Sequence, residues 1–185
     1  TWSLVEPNAG EPDLAVQLFG ADPEHFREAA AQLGEHVGSK LALVDVNMAC
    51  PVPKVTKGGA GSALLDAPAL AARIVEALPE ELDVPVTVKI SLGLRPDALV
   101  GADFARAMEA AGAAAIAVHG RVASQMYRGQ SSAEGVAEVV RALSVPVIAS
   151  GDALDAERAA ALLDRTGAAA CFLARGSYGD PWVFE

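Results

Sequence analysis

The chain has 185 residues, 52% hydrophobic and 21% charged, with a formal net charge of -10. This composition suits one soluble globular domain and argues against a generic nucleic-acid binder, which normally carries a basic face. No apolar run reaches the ~18 residues of a membrane span, no signal-peptide pattern is visible, and two cysteines, Cys50 and Cys171, cannot build a disulfide framework; a reduced, cytoplasmic setting is expected.

One unit repeats along the chain. Leu14 to Phe19 reads as a strand ended by Gly20; Asp22 then caps a helix from Pro23 to about Val37. Leu41 to Val46 is a second, almost wholly apolar strand. It runs into a long loop with three glycines, in which Pro51 and Pro53 are expected to bar a helix. Asp66 is read as the cap of a helix through Leu78, with Pro68 in its first turn. Pro85 to Ile90 is the third strand, followed by a helix from about Asp97 to Ala111, closed by Gly112. Strands at Ala114–Val118, Pro146–Ala149 and Ala170–Leu173 alternate with helices at Ala133–Leu143 and from the cap Asp155 to about Asp164, and the tail after Asp180 begins another helix. The chain opens on Thr1 rather than Met, so a preceding segment is expected.

Short apolar strands alternating with amphipathic helices predict an α/β fold with a parallel sheet. Six units without a dinucleotide fingerprint favour part of a TIM (β/α)8 barrel, which normally needs eight strands and ~250 residues. Such barrels carry their chemistry at the C-terminal ends of the strands. There this sequence offers Gln17, Asn47 with Cys50, Lys89, His119 with Arg121, Ser150-Gly151-Asp152, and Ala174-Arg175-Gly176. Individually each has a bland reading: Lys89 as a snorkelling lysine, His119 as a satisfied strand-end residue, Cys171 as a small buried hydrophobe. A polar group at every strand end is harder to dismiss. Two stretches, Asn47–Leu65 and His119–Ala133, contain no acid but do contain Lys54, Lys57, Arg121 and Arg128, which suggests an anionic partner. Loops after the last two strands commonly bind phosphate. His25 and His36 lie on a helix and receive no role, and no metal site is read.

The run D-V-N-M-A-C-P-V-P-K-V-T-K-G-G-A-G-S-A-L-L, Asp45 to Leu65, resembles the signature of the bacterial tRNA-dihydrouridine synthases, flavin enzymes that reduce uridines in tRNA. The resemblance extends from Gln17 to Phe184. It implies that the chain holds barrel strands three to eight of an FMN-linked oxidoreductase. The family's first two strands, with an Ala-Pro-Met-Ala-Gly-like flavin segment, and its C-terminal helical tRNA-binding domain have no counterpart here. It further implies FMN as cofactor, NADPH as reductant and tRNA as partner.

By the same resemblance Cys50 is the proton donor to the uracil ring. Gln17 (in Q-L-F-G), Lys89 (in V-K-I) and His119 (in H-G-R-V) contact flavin, with Ser150, Gly151, Asp152, Ala174 and Arg175 toward its phosphate. Asn47 (in N-M-A-C) positions substrate; Lys54 and Arg121 are placed toward substrate by the basic rim they form, and Asp45, inside a strand, reads as structural. The family usually has Asn at Ser150, Gly at Ala174 and Thr at Val122. Two other readings stay open: a flavin barrel acting on free pyrimidines or dihydroorotate, and a truncated non-catalytic homologue.

Overall fold

The computed structural model describes residues 2–8, 10–79 and 81–184. Their order is β1 (Leu14–Leu18), α1 (Pro23–Val37), β2 (Leu41–Met48), α2 (Pro53–Thr56), α3 (Pro68–Ala77), β3 (Val86–Ser91), β4 (Gly93–Arg95), β5 (Ala98–Leu99), α4 (Gly101–Ala110), β6 (Ala115–His119), α5 (Ala133–Ala142), β7 (Val147–Ser150), α6 (Ala156–Thr166) and β8 (Ala170–Phe172).

Alternation along the strands explains the sheet. Val44, Val46, Val86, Val88, Ile90, Ile116, Val118 and Val147 are β-branched, stiff at χ1 and essentially buried. Falling at every second position, they present one continuous apolar face. The helices supply the matching stripe: α1 buries Phe26, Ala30, Leu33 and Val37, α3 buries Ala71, Ile74 and Val75, and α5 buries Val136 and Val139. Consecutive helices α3 through α6 pack side by side, as do α1 and α3, so the strand–helix–strand crossovers give a single sheet in the order β1-β2-β3-β6-β7-β8, every pair parallel. This is a partial TIM barrel with six of eight strands.

The register places the other face in rows. Gln17 pairs with Asp45 and Asp45 with Thr87; one row higher Asn47 pairs with Lys89 and Lys89 with Ala117; above that Ser91 pairs with His119 and His119 with Ser150. The side chains named here alternate with the buried valines, so the polar residues collect on the inner surface toward the C-terminal edge.

Local chemistry sets the ends. Asp22 Oδ1 accepts from Glu24 N and starts α1, and Asp155 Oδ1 accepts from Arg158 N and starts α6. Gly167, at φ 70, closes α6.

Three sequence expectations are corrected. Pro53 does not bar a helix: at the first helical position, where no N–H is needed, it opens the single turn α2. Asp66 does not cap α3; the cap position is Ala67, without a side-chain hydrogen bond, because Asp66 still belongs to the 3-10 turn Gly61–Asp66. The helix expected from Asp97 begins at Gly101, since Gly93–Arg95 and Ala98–Leu99 form a small antiparallel hairpin whose turn holds Asp97.

Candidate functional site

The loop after β2 is built around Asn47. Its Oδ1 accepts the backbone N–H of Ala49 at 3.1 Å and of Cys50 at 3.0 Å, turning the chain sharply at the strand end. Gly61 closes the loop from the far side. It has φ +61, and a Cβ there would lie 2.6 Å from the Cys50 carbonyl oxygen. The Ser62 N–H donates to that oxygen at 3.0 Å. Cys50 is thus held between a side-chain cap and a backbone clamp, and it is half-buried.

A cavity of about 340 Å³ opens at the strand ends, lined by Gln17, Asn47, Cys50, Lys89, His119, Ser150 and Ala174 among others. Seven of the residues singled out in the sequence therefore share one hollow. Burial pushes the Lys89 pKa down, while the charges of Asp45 and Cys50 work against that shift. His119 is pushed down to about 4, first by burial and then by Lys89 and Arg121; its ring is neutral at pH 7. Its Nδ1 lies 3.5 Å from Ser150 Oγ. A larger hollow of about 560 Å³, between the start of α1 and α3, is lined by Asp22, Glu24, Arg73 and Glu76 and takes none of the strand-end residues.

Five other expected residues lie elsewhere. Lys54 sits on α2 and is exposed, and Gly151, Asp152 and Arg175 lie off the cavity wall. Arg121, expected to face substrate, is likewise off the cavity wall, with its side chain 2% exposed. Its Nη2 donates to both Asp152 oxygens at 2.8 Å and to Gly129 O at 2.7 Å, and its Nε donates to Arg128 O at 3.2 Å. Asp152 also accepts from Ser131 N at 2.8 Å and from Arg175 Nη2 at 3.1 Å. Burial alone would raise the Asp152 pKa, but the Arg121 hydrogen bond, the Ser131 N–H and the two guanidinium charges outweigh it and hold the carboxyl below its usual range. The arginine's role is thereby to fasten segment 122–131, which brings Met126 and Tyr127 to the cavity. Arg175 lies 5.3 Å over the Tyr127 ring.

Sequence reasoning missed Ser91, Met126 and Tyr127, all of which line the cavity. Ser91 was findable, because it is two residues past Lys89 on one strand and so shares its face. The other two depend on how the loop folds back.

Comparison with known proteins identifies the family. A family model described as "Dihydrouridine synthase (Dus)" matches residues 3–185. The tRNA-dihydrouridine synthase B of Xanthomonas axonopodis pv. citri is 42% identical over 178 residues, covering 96% of this chain and 53% of that protein. The Pseudomonas aeruginosa tRNA-dihydrouridine synthase B is 40% identical over 182 residues, covering 98% and 54%. The chain thus spans about half the length of these relatives. Among solved structures, the Amycolatopsis orientalis BexX/CysO complex superposes with TM-score 0.55 at 20% identity, over 86% of this chain and 55% of that one. A mandelate oxidase superposes with TM-score 0.59 at 20% identity, over 88% and 50%. These two share the fold alone. With a family match running nearly end to end, the chain belongs to the dihydrouridine synthase family.

Proposed function

We propose that this chain is the barrel portion of a tRNA-dihydrouridine synthase, reducing the C5=C6 bond of uridine in tRNA with FMN as cofactor and NADPH as reductant. One observation carries the reading: Cys50, in an acid-free loop, opens onto the same cavity as Gln17, Asn47, Lys89 and His119. The cavity fits a flavin ring. Its ~340 Å³ lies at the small end of the range for ligand pockets, and it offers amides, one ammonium and a neutral imidazole. Gln17, Lys89 and His119 would hold the ring. Ser150, Gly151, Ala174 and Arg175 would lie toward the phosphate, with Asp152 orienting Arg175. When bound, the flavin supplies the hydride that one ring carbon of uridine receives.

The protein's own part is the proton. Cys50 gives it to the neighbouring carbon: the S–H bond breaks, a C–H bond forms, and the thiolate left behind is stabilised by the Lys89 ammonium. Asn47 uses both amide ends internally but keeps one N–H for substrate. Met126 and Tyr127, both exposed, line the cavity and would offer apolar contact to the entering base. Exposed Lys54, Lys57 and Arg128 supply the attraction for a polyanion, and the uracil must leave its stack to enter. The setting is cytoplasmic. By the family resemblance, two further barrel strands and a helical tRNA-binding domain would come from outside these residues.

The test is dihydrouridine formation by the full-length protein on unmodified tRNA. Cys50→Ala should lower the rate by about 100-fold or more while flavin binding persists. Undiminished reduction in that variant would sink the proton-donor role. Reduction of free uracil with no response to tRNA would sink the substrate.

A further inference from the structure

From the cavity wall at Gln17 and Asn47 a polar chain runs down to Asp45 and Thr87, which the proposed chemistry does not use. Asp45 accepts from Thr87 Oγ1 at 2.6 Å and from Gln17 Nε2 at 2.7 Å. Gln17 Oε1 accepts from Asn47 Nδ2 at 3.4 Å, the longest link. Asn47 Oδ1 then accepts the N–H groups of Ala49 and Cys50. A carboxylate only accepts, and a backbone N–H only donates. The two ends therefore impose the same orientation on both amides independently. Reversing Gln17 would set its carbonyl oxygen against the carboxylate; reversing Asn47 would set its NH₂ against two N–H donors. No other orientation satisfies every link.

We propose that Asp45 is a positioning residue which, through Gln17 and Asn47, fixes the turn that carries Cys50. The catalytic meaning of that turn rests on the reading of Cys50 given above, but the positioning itself does not. The sheet register supplies the geometry, since Gln17, Asp45 and Thr87 are consecutive cross-strand partners and Asn47 is one same-face step beyond Asp45. Asp45 acts on the site a second way: its charge opposes the loss of the Lys89 proton that burial favours.

The direction of the chain can be removed and restored. The amide of Asp45→Asn can face Gln17 with either end, so the bias from the carboxylate end is lost and Asn47 is oriented by the loop N–H groups alone. Adding Gln17→Glu puts an acceptor-only group in the middle, which accepts from both neighbours and re-establishes the bias. The full-length protein would be made in a Cys171→Ala background, leaving Cys50 as the only thiol among these residues. Two readouts apply: amide hydrogen exchange of Ala49 and Cys50, and the pH profile of Cys50 alkylation by iodoacetamide.

In Asp45→Asn the two loop amides should exchange about tenfold faster or more, while the strand amides of Val44, Val46 and Val88 keep their protection. The alkylation profile should change with them. In the double variant both should return to within about threefold of the parent. A uniform loss of protection across β2 and β3 in Asp45→Asn would overturn the proposal, and so would unchanged loop exchange or a double variant as fast as the single. If Asp45→Asn does not fold, Gln17→Met at an exposed position cuts the same chain, and unchanged loop exchange there overturns it equally. None of these measurements uses flavin, tRNA or turnover. Failure of the Cys50 proton-donor role would therefore leave them standing.

Discussion

Removing the Asp152 carboxylate while keeping its shape gives the sharpest test of the strand-end electrostatics. Asp152→Asn leaves the Arg121 guanidinium 2% exposed without its counterion. Stripping one partner from a buried pair costs about 3–5 kcal/mol. Here the penalty is reduced, because Asp152 is 35% exposed, the asparagine retains one acceptor, and Arg121 keeps the carbonyls of Arg128 and Gly129. The expected loss is about 2–4 kcal/mol, a drop of roughly 5–12 °C in Tm for a domain of this size. Arg175→Gln removes the other partner, whose side chain is 45% exposed, and should cost under about 1 kcal/mol. The assay is urea and thermal unfolding of the full-length protein at pH 7. Arg121→Met combined with Asp152→Asn should recover part of the loss, since no buried charge is stranded. If Asp152→Asn stays within about 1 kcal/mol of the parent, or matches Arg175→Gln, the pair does not fasten segment 122–131.

Acid should weaken the fold in two windows. His119 titrates near 6.5 when unfolded and about 4 when folded, so its unfavourable term is absent above 6.5 and grows as pH falls toward 4. After allowance for solvent contact the loss is on the order of 2 kcal/mol, and His119→Gln should flatten stability across that window in pH-dependent denaturation. Asp152, held below its usual range, stabilises above the unfolded carboxylate value near ~4 and loses that contribution as pH falls through its folded value. Gly61→Ala must adopt φ +61 with its Cβ 2.6 Å from Cys50 O and 2.8 Å from Val55 Cγ1, so it should cost about 2–3 kcal/mol and loosen Cys50, read by faster alkylation. Phe26→Ala on α1, 3% exposed, should cost about 3–4 kcal/mol in unfolding while leaving the strand-end cavity's chemistry untouched.

Much of this protein was readable in one dimension. Short apolar runs, amphipathic helical stretches and caps at Asp22 and Asp155 act over a few residues, so they declare strands and helices without knowledge of the partners, and the alternation of the two declares a parallel sheet. Strand-end polar residues could be grouped in advance because barrels carry their chemistry at the C-terminal ends of the strands; the alternation that buries Val46 and Val88 then turns Asn47 and Lys89 to the opposite face. What the chain could not declare is anything decided by which strand lies beside which. Arg121 looks like a substrate-facing cation in sequence, yet an aspartate 31 positions away and the carbonyls of its own loop bury it. Asp45 reads as structural from its place inside a strand, but only the register shows what it holds, setting it between Gln17 and Thr87 at the foot of the Cys50 turn. Even the proline in α2 misleads when read as a breaker, because its effect depends on whether an N–H is demanded at that position. Short-range sterics and periodicity settle elements; a hydrogen bond or ion pair between distant residues exists only once the sheet has chosen its neighbours.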